Sequence, residues 1–223
     1  MLFYLHILNT CYNIIVNKKK EGITMLNSPY KTTMISEPFL FHEVRLTARL
    51  LDRGLSKEEV SNKIAEENLF QCPTEKGVNK LIKACFKRLE ALNDSALVHA
   101  IATEPTDDAK QICLYAMMKQ HRLLWDFMVT VVGEKYRTLD SSFGRFDINC
   151  YFARLQEQDD RVATWSEATI TGLKQIFQRV LVENGYLDAP RAKKLNGIWL
   201  CSTLEEGIRR SGDEIVLSAF GMM

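Results

Sequence analysis

The sequence has neither a GxxxxGK[ST] phosphate loop nor a GxGxxG turn, which removes the P-loop and dinucleotide-binding classes. It has no GxSxG nucleophile turn. His42-Glu43 lacks the second histidine that a helical zinc-protease motif needs. The four histidines, His6, His42, His99 and His121, are far apart, and each is expected at the surface or half-buried. No two of the six cysteines lie within four residues of each other, so zinc-ribbon and CxxC redox spacings are excluded. Cys85 and Cys113 sit among apolar residues at helical spacing and are expected as buried free thiols. Charge of one sign is also missing. The formal net charge is +1, so any nucleic-acid surface must be a local patch. The sequence calls for no cofactor, no metal and no small-molecule substrate.

Long apolar runs are absent as well. A membrane span needs about 20 apolar residues. Met1 to Val16 is shorter and is broken by His6, Asn9, Thr10 and Asn13. Its charges, Lys18 to Lys20, follow the apolar run, which reverses the order of a signal peptide. No membrane partner is expected. Lys20-Glu21-Gly22 can be encoded by AAG-GAG-GGN, a ribosome-binding sequence, with Met25 at start-codon spacing. Met25 is therefore expected as the true first residue. Losing three lysines and one glutamate takes the formal charge from +1 to −1.

What the chain does contain is helical pattern. The stretch Thr74 to Leu92 predicts one helix with two unlike sides. Lys76, Lys80, Lys83 and Lys87 follow a 4-3-4 spacing and fall within about 60° of one another. Val78, Leu81, Ile82, Cys85, Leu89 and Leu92 gather opposite. At about 1.5 Å of rise per residue the lysines span roughly 16 Å, enough to meet several duplex phosphates. Lysine rows also occur on helix faces that hold only water. Arg88 flanks the stripe, and Asn79 beside it can reach a base edge.

Ser36-Glu37-Pro38 predicts the start of a first helix running to about Asp52. Ser56 and Glu59 form a capping box that opens a short second helix to about Glu67. With the striped helix third, these match a helix-turn-helix arrangement, although the connection from Asn68 to Thr74 is longer than the usual turn. A plain three-helix bundle satisfies the same pattern. Further helices are predicted from Asn93-Asp94-Ser95 to about Ala102, from Pro105 to about Val131 with a polar interruption at Lys119 to Arg122, from Ile148 to Gln156, and from Ser166 to Asn184-Gly185. In the tail, Gly197 to Cys201 reads as one short strand, and Ser202–Arg210 and Asp213–Phe220 read as helical.

The fold class is thus all-α: a two-part, multi-helix bundle with a helix-turn-helix-like N-terminal unit and room for one short strand near the C-terminus. Residues 1–35 are assigned to a leader or disordered segment, 36–93 to the three-helix unit and 94–223 to a C-terminal helical domain. Asp107-Asp108 and Asp159-Asp160 sit at helix starts, where carboxylates favour the dipole, rather than forming a nuclease metal site. Trp125 and Trp165 are expected in the core. A second basic cluster, Arg191, Lys193 and Lys194, joins the candidate DNA-contacting residues if the tail folds back. Arg209-Arg210 lies at a helix end, where cations favour the dipole.

Four segments carry a resemblance. Met118 to Met128 contains Lys119, Leu123-Leu124 and Asp126-Phe127; Val162 to Thr169 contains Trp165-Ser166 and Thr169, followed by Leu173. Val180 to Leu187 contains Leu181 and Gly185-Tyr186-Leu187; Lys87 to Leu92 contains Arg88-Leu89 and Leu92. In order and spacing, over roughly residues 38 to 190, they resemble the BrxA family, small helical proteins of bacterial BREX phage-defence systems. The resemblance implies a cytoplasmic protein encoded beside a methyltransferase, a large ATPase and a phosphatase-like protein. It also implies other BREX proteins and double-stranded DNA as partners. On this reading the chain is a non-enzymatic DNA-binding component that uses Lys76, Lys80, Lys83, Lys87 and Arg88. A protein-interaction adaptor without intrinsic DNA binding is the alternative, and a nuclease comes third.

Overall fold

The start and stop signals in the sequence mark most of the turns of the chain. The computed structural model describes residues 28–222. The apolar run before Val16 and the Met25 start lie outside them.

Eleven α-helices form among the described residues. They are α1 Phe41–Asp52, α2 Lys57–Glu66, α3 Glu75–Leu92, α4 Ser95–Thr103, α5 Thr106–Gln120, α6 Arg122–Phe127, α7 Gly133–Arg137, α8 Arg145–Gln158, α9 Asp160–Ala163, α10 Glu167–Glu183 and α11 Ser202–Arg210. Short 3₁₀ turns cover Thr33–Ile35 and Glu214–Phe220, and a π-helical turn, Met128–Val132, joins α6 to α7.

Side-chain caps set several of the boundaries. Ser56 and Glu59 close the expected capping box on α2. Thr74 Oγ1 accepts from Gly77 N–H at 3.1 Å to start α3, and Asp94 accepts from Ala96 and Leu97 to start α4. Asp159 caps α9, Ser166 caps α10, and Asp107 and Asp108 occupy the first turn of α5. The polar interruption at Lys119 to Arg122 becomes a true break, because His121 is extended between α5 and α6.

The first helix departs from expectation. It begins at Phe41, not near Ser36, after Leu40 in the left-handed conformation. The carbonyls of Glu37, Pro38 and Phe39, which would open a helical ladder, accept from the Arg88 guanidinium instead. Residues 28–35, expected within a leader or disordered segment, belong to the fold. Tyr30 and Met34 are buried, and Tyr30 donates to Asp126 in the interior.

One core runs from Tyr30 to Phe220. Its centre is aromatic. Phe127 lies 4.6 Å from Phe177 and 5.2 Å from Tyr151, whose hydroxyl donates to the Leu123 carbonyl at 2.8 Å. Trp125 is buried and Trp165 packs at the edge. A smaller cluster of Leu50, Val60, Ile64, Val78 and Ile82 sits among α1, α2 and α3.

The tail folds back over this body. α11 approaches α4 at Gly207, where a Cβ would come within 2.7 Å of Leu97, so only glycine allows the close packing. Among the described residues no strand forms. Gly197 to Cys201 has no partner strand, so its backbone is held by side chains. Gln111 donates to the Trp199 carbonyl at 2.8 Å and accepts from Cys201 N–H at 3.0 Å. The tail's one bridge is isolated and joins Ser142 to Lys194.

Candidate nucleic-acid interface

The connection into α3 is a fixed turn. Asn68 and Gln71 take left-handed backbone. The Asn68 amide donates to the Cys72 carbonyl at 3.1 Å and accepts from Cys72 N–H at 3.0 Å. α3 then packs on α1, α2, α4 and α5 through Val78, Ile82, Cys85, Leu89 and Leu92. That packing fixes the helix about its axis and leaves Lys76, Lys80, Lys83 and Lys87 exposed on the outer side. Among the described residues none of the four meets a carboxylate. Glu90, at the end of the stripe, is taken by Lys57 at 2.6 Å. The result is a rigid row of four free ammonium groups.

Arg88 is not part of that row. It is 0% exposed, so it is corrected from a phosphate contact to a structural residue. Its Nη2 donates to the Glu37 carbonyl at 2.7 Å and also to Pro38, its Nη1 donates to Phe39, and its Nε donates to Gln120 Oε1 at 3.3 Å. Burial pushes the guanidinium pKa below its ordinary value, and among the described residues no carboxylate forms an ion pair with it. Carbonyl oxygens carry the charge. Helical angle held the clue: Arg88 falls about 120° from Lys76, towards the Cys85 and Leu92 side.

Arg191, Lys193 and Lys194 are exposed and lie elsewhere in the fold. The Lys193 carbonyl accepts from Phe143 N–H at 3.0 Å, Lys194 bridges to Ser142, and Pro190 is held by Gln178 of α10. α3, by contrast, packs on α1, α2, α4 and α5. Arg209 and Arg210 are engaged, Arg209 with Glu205 at 2.7 Å and Arg210 with the α4 cap Asp94 at 2.8 Å.

His121 also goes deeper than expected, at 5% exposure. Burial pulls its pKa down to about 3, with the cations Arg88 and Lys31 adding to the effect. Burial pushes the Cys85 and Cys113 thiols up to about 12, so both stay protonated. No group of three or more His, Cys, Asp or Glu converges as a metal site among the described residues. No helix among them is long and apolar enough to cross a membrane.

Known proteins share this architecture. A model of the BrxA family matches residues 28–212, so the similarity reaches beyond the 38–190 segment into the tail. "BREX protein BrxA" of Bacillus cereus (strain H3081.97) is 34% identical over 189 residues, 84% of this chain and 94% of that protein. The protein of the same name from Escherichia coli O9:H4 (strain HS) is 21% identical over 203 residues, 90% of this chain and 95% of that one. A crystal structure of an uncharacterized protein from Magnetospirillum magneticum shares the fold, with a TM-score of 0.73, 22% identity and coverage of 86% of this chain and 98% of that one. The chain belongs to the BrxA family.

Proposed function

We propose that this protein is a non-enzymatic, double-stranded-DNA-binding component of a bacterial phage-defence system in the cytoplasm. Its relatives carry the name BREX protein BrxA, and the chain is accordingly a BREX component. In this reading α1, α2 and α3 act as a helix-turn-helix-like unit with α3 facing the duplex. Lys76, Lys80, Lys83 and Lys87 contact phosphates, and Asn79 borders them. The observation that carries the reading is the row of four exposed lysines without a carboxylate on a helix whose other side is buried. Such an array gives phosphate-dominated, weakly sequence-selective binding, with a salt slope of about −0.9 for each phosphate neutralised.

The test is fluorescence anisotropy of a ~30-base-pair duplex titrated with the purified chain at several salt concentrations, beside Lys80→Glu/Lys83→Glu. Binding that falls with salt and weakens at least about tenfold in the double variant is the expected outcome. Tight binding indifferent to the variant removes α3 from the interface. No binding at low salt overturns the reading in favour of an adaptor.

A further inference from the structure

Helix α8 hides one side in the core and leaves a second apolar line uncovered. Ile148, Tyr151, Phe152 and Leu155 are its buried side. At 100° per residue, Phe146, Cys150, Ala153 and Glu157 fall within about 60° of one another, opposite that side. Residues three and four apart are neighbours on a helix surface, so the four form one continuous line. All four are exposed, Phe146 at 77%. The outer line of a surface helix is ordinarily polar. Here its first three positions are phenylalanine, cysteine and alanine, and the flanking Asn149 and Gln156 are exposed and uncharged.

The free charges stand at the two ends. Arg145 is the first residue of α8 and Glu157 is the last but one. Both are exposed, and among the described residues neither meets an opposite charge. The charges between them are engaged. Asp147 pairs with Lys135 at 3.1 Å, and Arg154 lies over the Tyr151 ring and donates to Thr130 Oγ1 at 3.2 Å.

The line is complementary to its own reverse. A two-fold axis beside Asn149 and Cys150 sets two copies of α8 antiparallel. Phe146 of one copy then lies against Ala153 of the other, a large side chain over a small one. Cys150 comes close to Cys150 of the second copy. Glu157 reaches the start of the second helix, where Arg145 and the positive end of the helix dipole favour a carboxylate. Each contact is made twice, as an isologous interface requires.

We infer that α8 is a self-association face. Two copies of this chain pair antiparallel through Phe146, Cys150 and Ala153, with an Arg145–Glu157 ion pair at each end. The helix is about 21 Å long, so the pair buries less than a standard interface of about 1,200–2,000 Å². The dimer is therefore reversible, with a Kd of about 10–100 μM. The inference does not rest on DNA binding.

The test is sedimentation velocity of the purified chain without DNA, from about 1 to 300 μM. A dimer should appear as concentration rises. Phe146→Asp should weaken it at least about tenfold, as loss of a buried aromatic anchor does. Arg145→Glu and Glu157→Arg should each weaken it about threefold or more. Each of these three changes suits the helix dipole, so the melting temperature should hold or rise while association falls. Arg145→Glu/Glu157→Arg in one chain should restore the wild-type dimer, which a merely structural role would not produce. Bismaleimidoethane should link two copies, and Cys150→Ser should abolish the link.

A chain that stays monomeric throughout overturns the inference. So does a dimer indifferent to Phe146→Asp, one that the double charge exchange fails to restore, or cross-linking that Cys150→Ser leaves unchanged. The duplex titration is run below the concentrations at which the dimer forms, so failure of the DNA reading and failure of this one are seen separately.

Discussion

Lys87 and Arg88 are neighbours on α3, and they do opposite things. Lys87 stands in water with three other lysines on a surface where the neighbouring acid, Glu90, is taken by Lys57. Arg88 is sealed inside and holds the carbonyls of Glu37, Pro38 and Phe39. The guanidinium suits that task because its planar fork serves several acceptors at once, which a lysine ammonium on a flexible stem does not. One helix therefore carries two kinds of cation. One kind is free to meet a partner, and the other is consumed in building the fold.

The sharpest way to break this contrast is Arg88→Ala. One buried and two part-buried carbonyls then lose their donor, and stability to urea should fall by about 3–5 kcal/mol. Lys87→Ala should stay within about 0.5 kcal/mol, as surface changes do. Arg88→Lys should recover less than half of the loss. Equal effects at the two positions would collapse the distinction.

A smaller effect compares the two exposed basic regions. On a duplex, Lys80→Glu/Lys83→Glu should weaken binding at least about tenfold and flatten the salt slope by about 0.9 for each phosphate no longer neutralised. Lys193→Glu/Lys194→Glu should change duplex affinity less, because those residues are placed against the Ser141–Phe143 loop, away from the helices that carry α3. The reverse ranking in anisotropy would move the DNA face to the tail.

The smallest effect at neutral pH, one that grows as the pH falls, concerns the second titratable group near Arg88. His121 is neutral in the fold, with a pKa of about 3 against an ordinary value near 6.5. Below pH 6.5 the unfolded chain takes up a proton that the folded chain refuses. Stability supplied by the neutral imidazole is thus present above pH 6.5 and is lost as pH falls towards 3, by up to about 1.4 kcal/mol per pH unit. His121→Gln should flatten that acid limb in urea titrations at several pH values. An unchanged limb would show that the site admits the charged ring.

Much of the secondary structure was legible because it depends on neighbours in sequence. The Ser56–Glu59 box, the Thr74, Asp94, Asp159 and Ser166 caps and the stripe of α3 are all decided within one or two turns, and each appears where the residues place it. The start of α1 was not legible, because the group that unwinds residues 37–39 comes from Arg88, about 50 positions later. The short strand that the sequence allows at Gly197 to Cys201 does not form, for a related reason. A strand needs a second strand, and α5 supplies only Gln111.

The candidate site divides the same way. Periodicity alone determined that four lysines share one side of α3, since 100° per residue is a property of any helix. Only tertiary packing decided which cations remain in water. Burial against residues 37–39 and Gln120 takes Arg88 out of the row, and the fold of the tail sets Lys193 and Lys194 beside the Ser142–Phe143 loop. Local pattern reports which side chains point together. Which of them are still free to act depends on partners far away in sequence, whose distances no local pattern encodes.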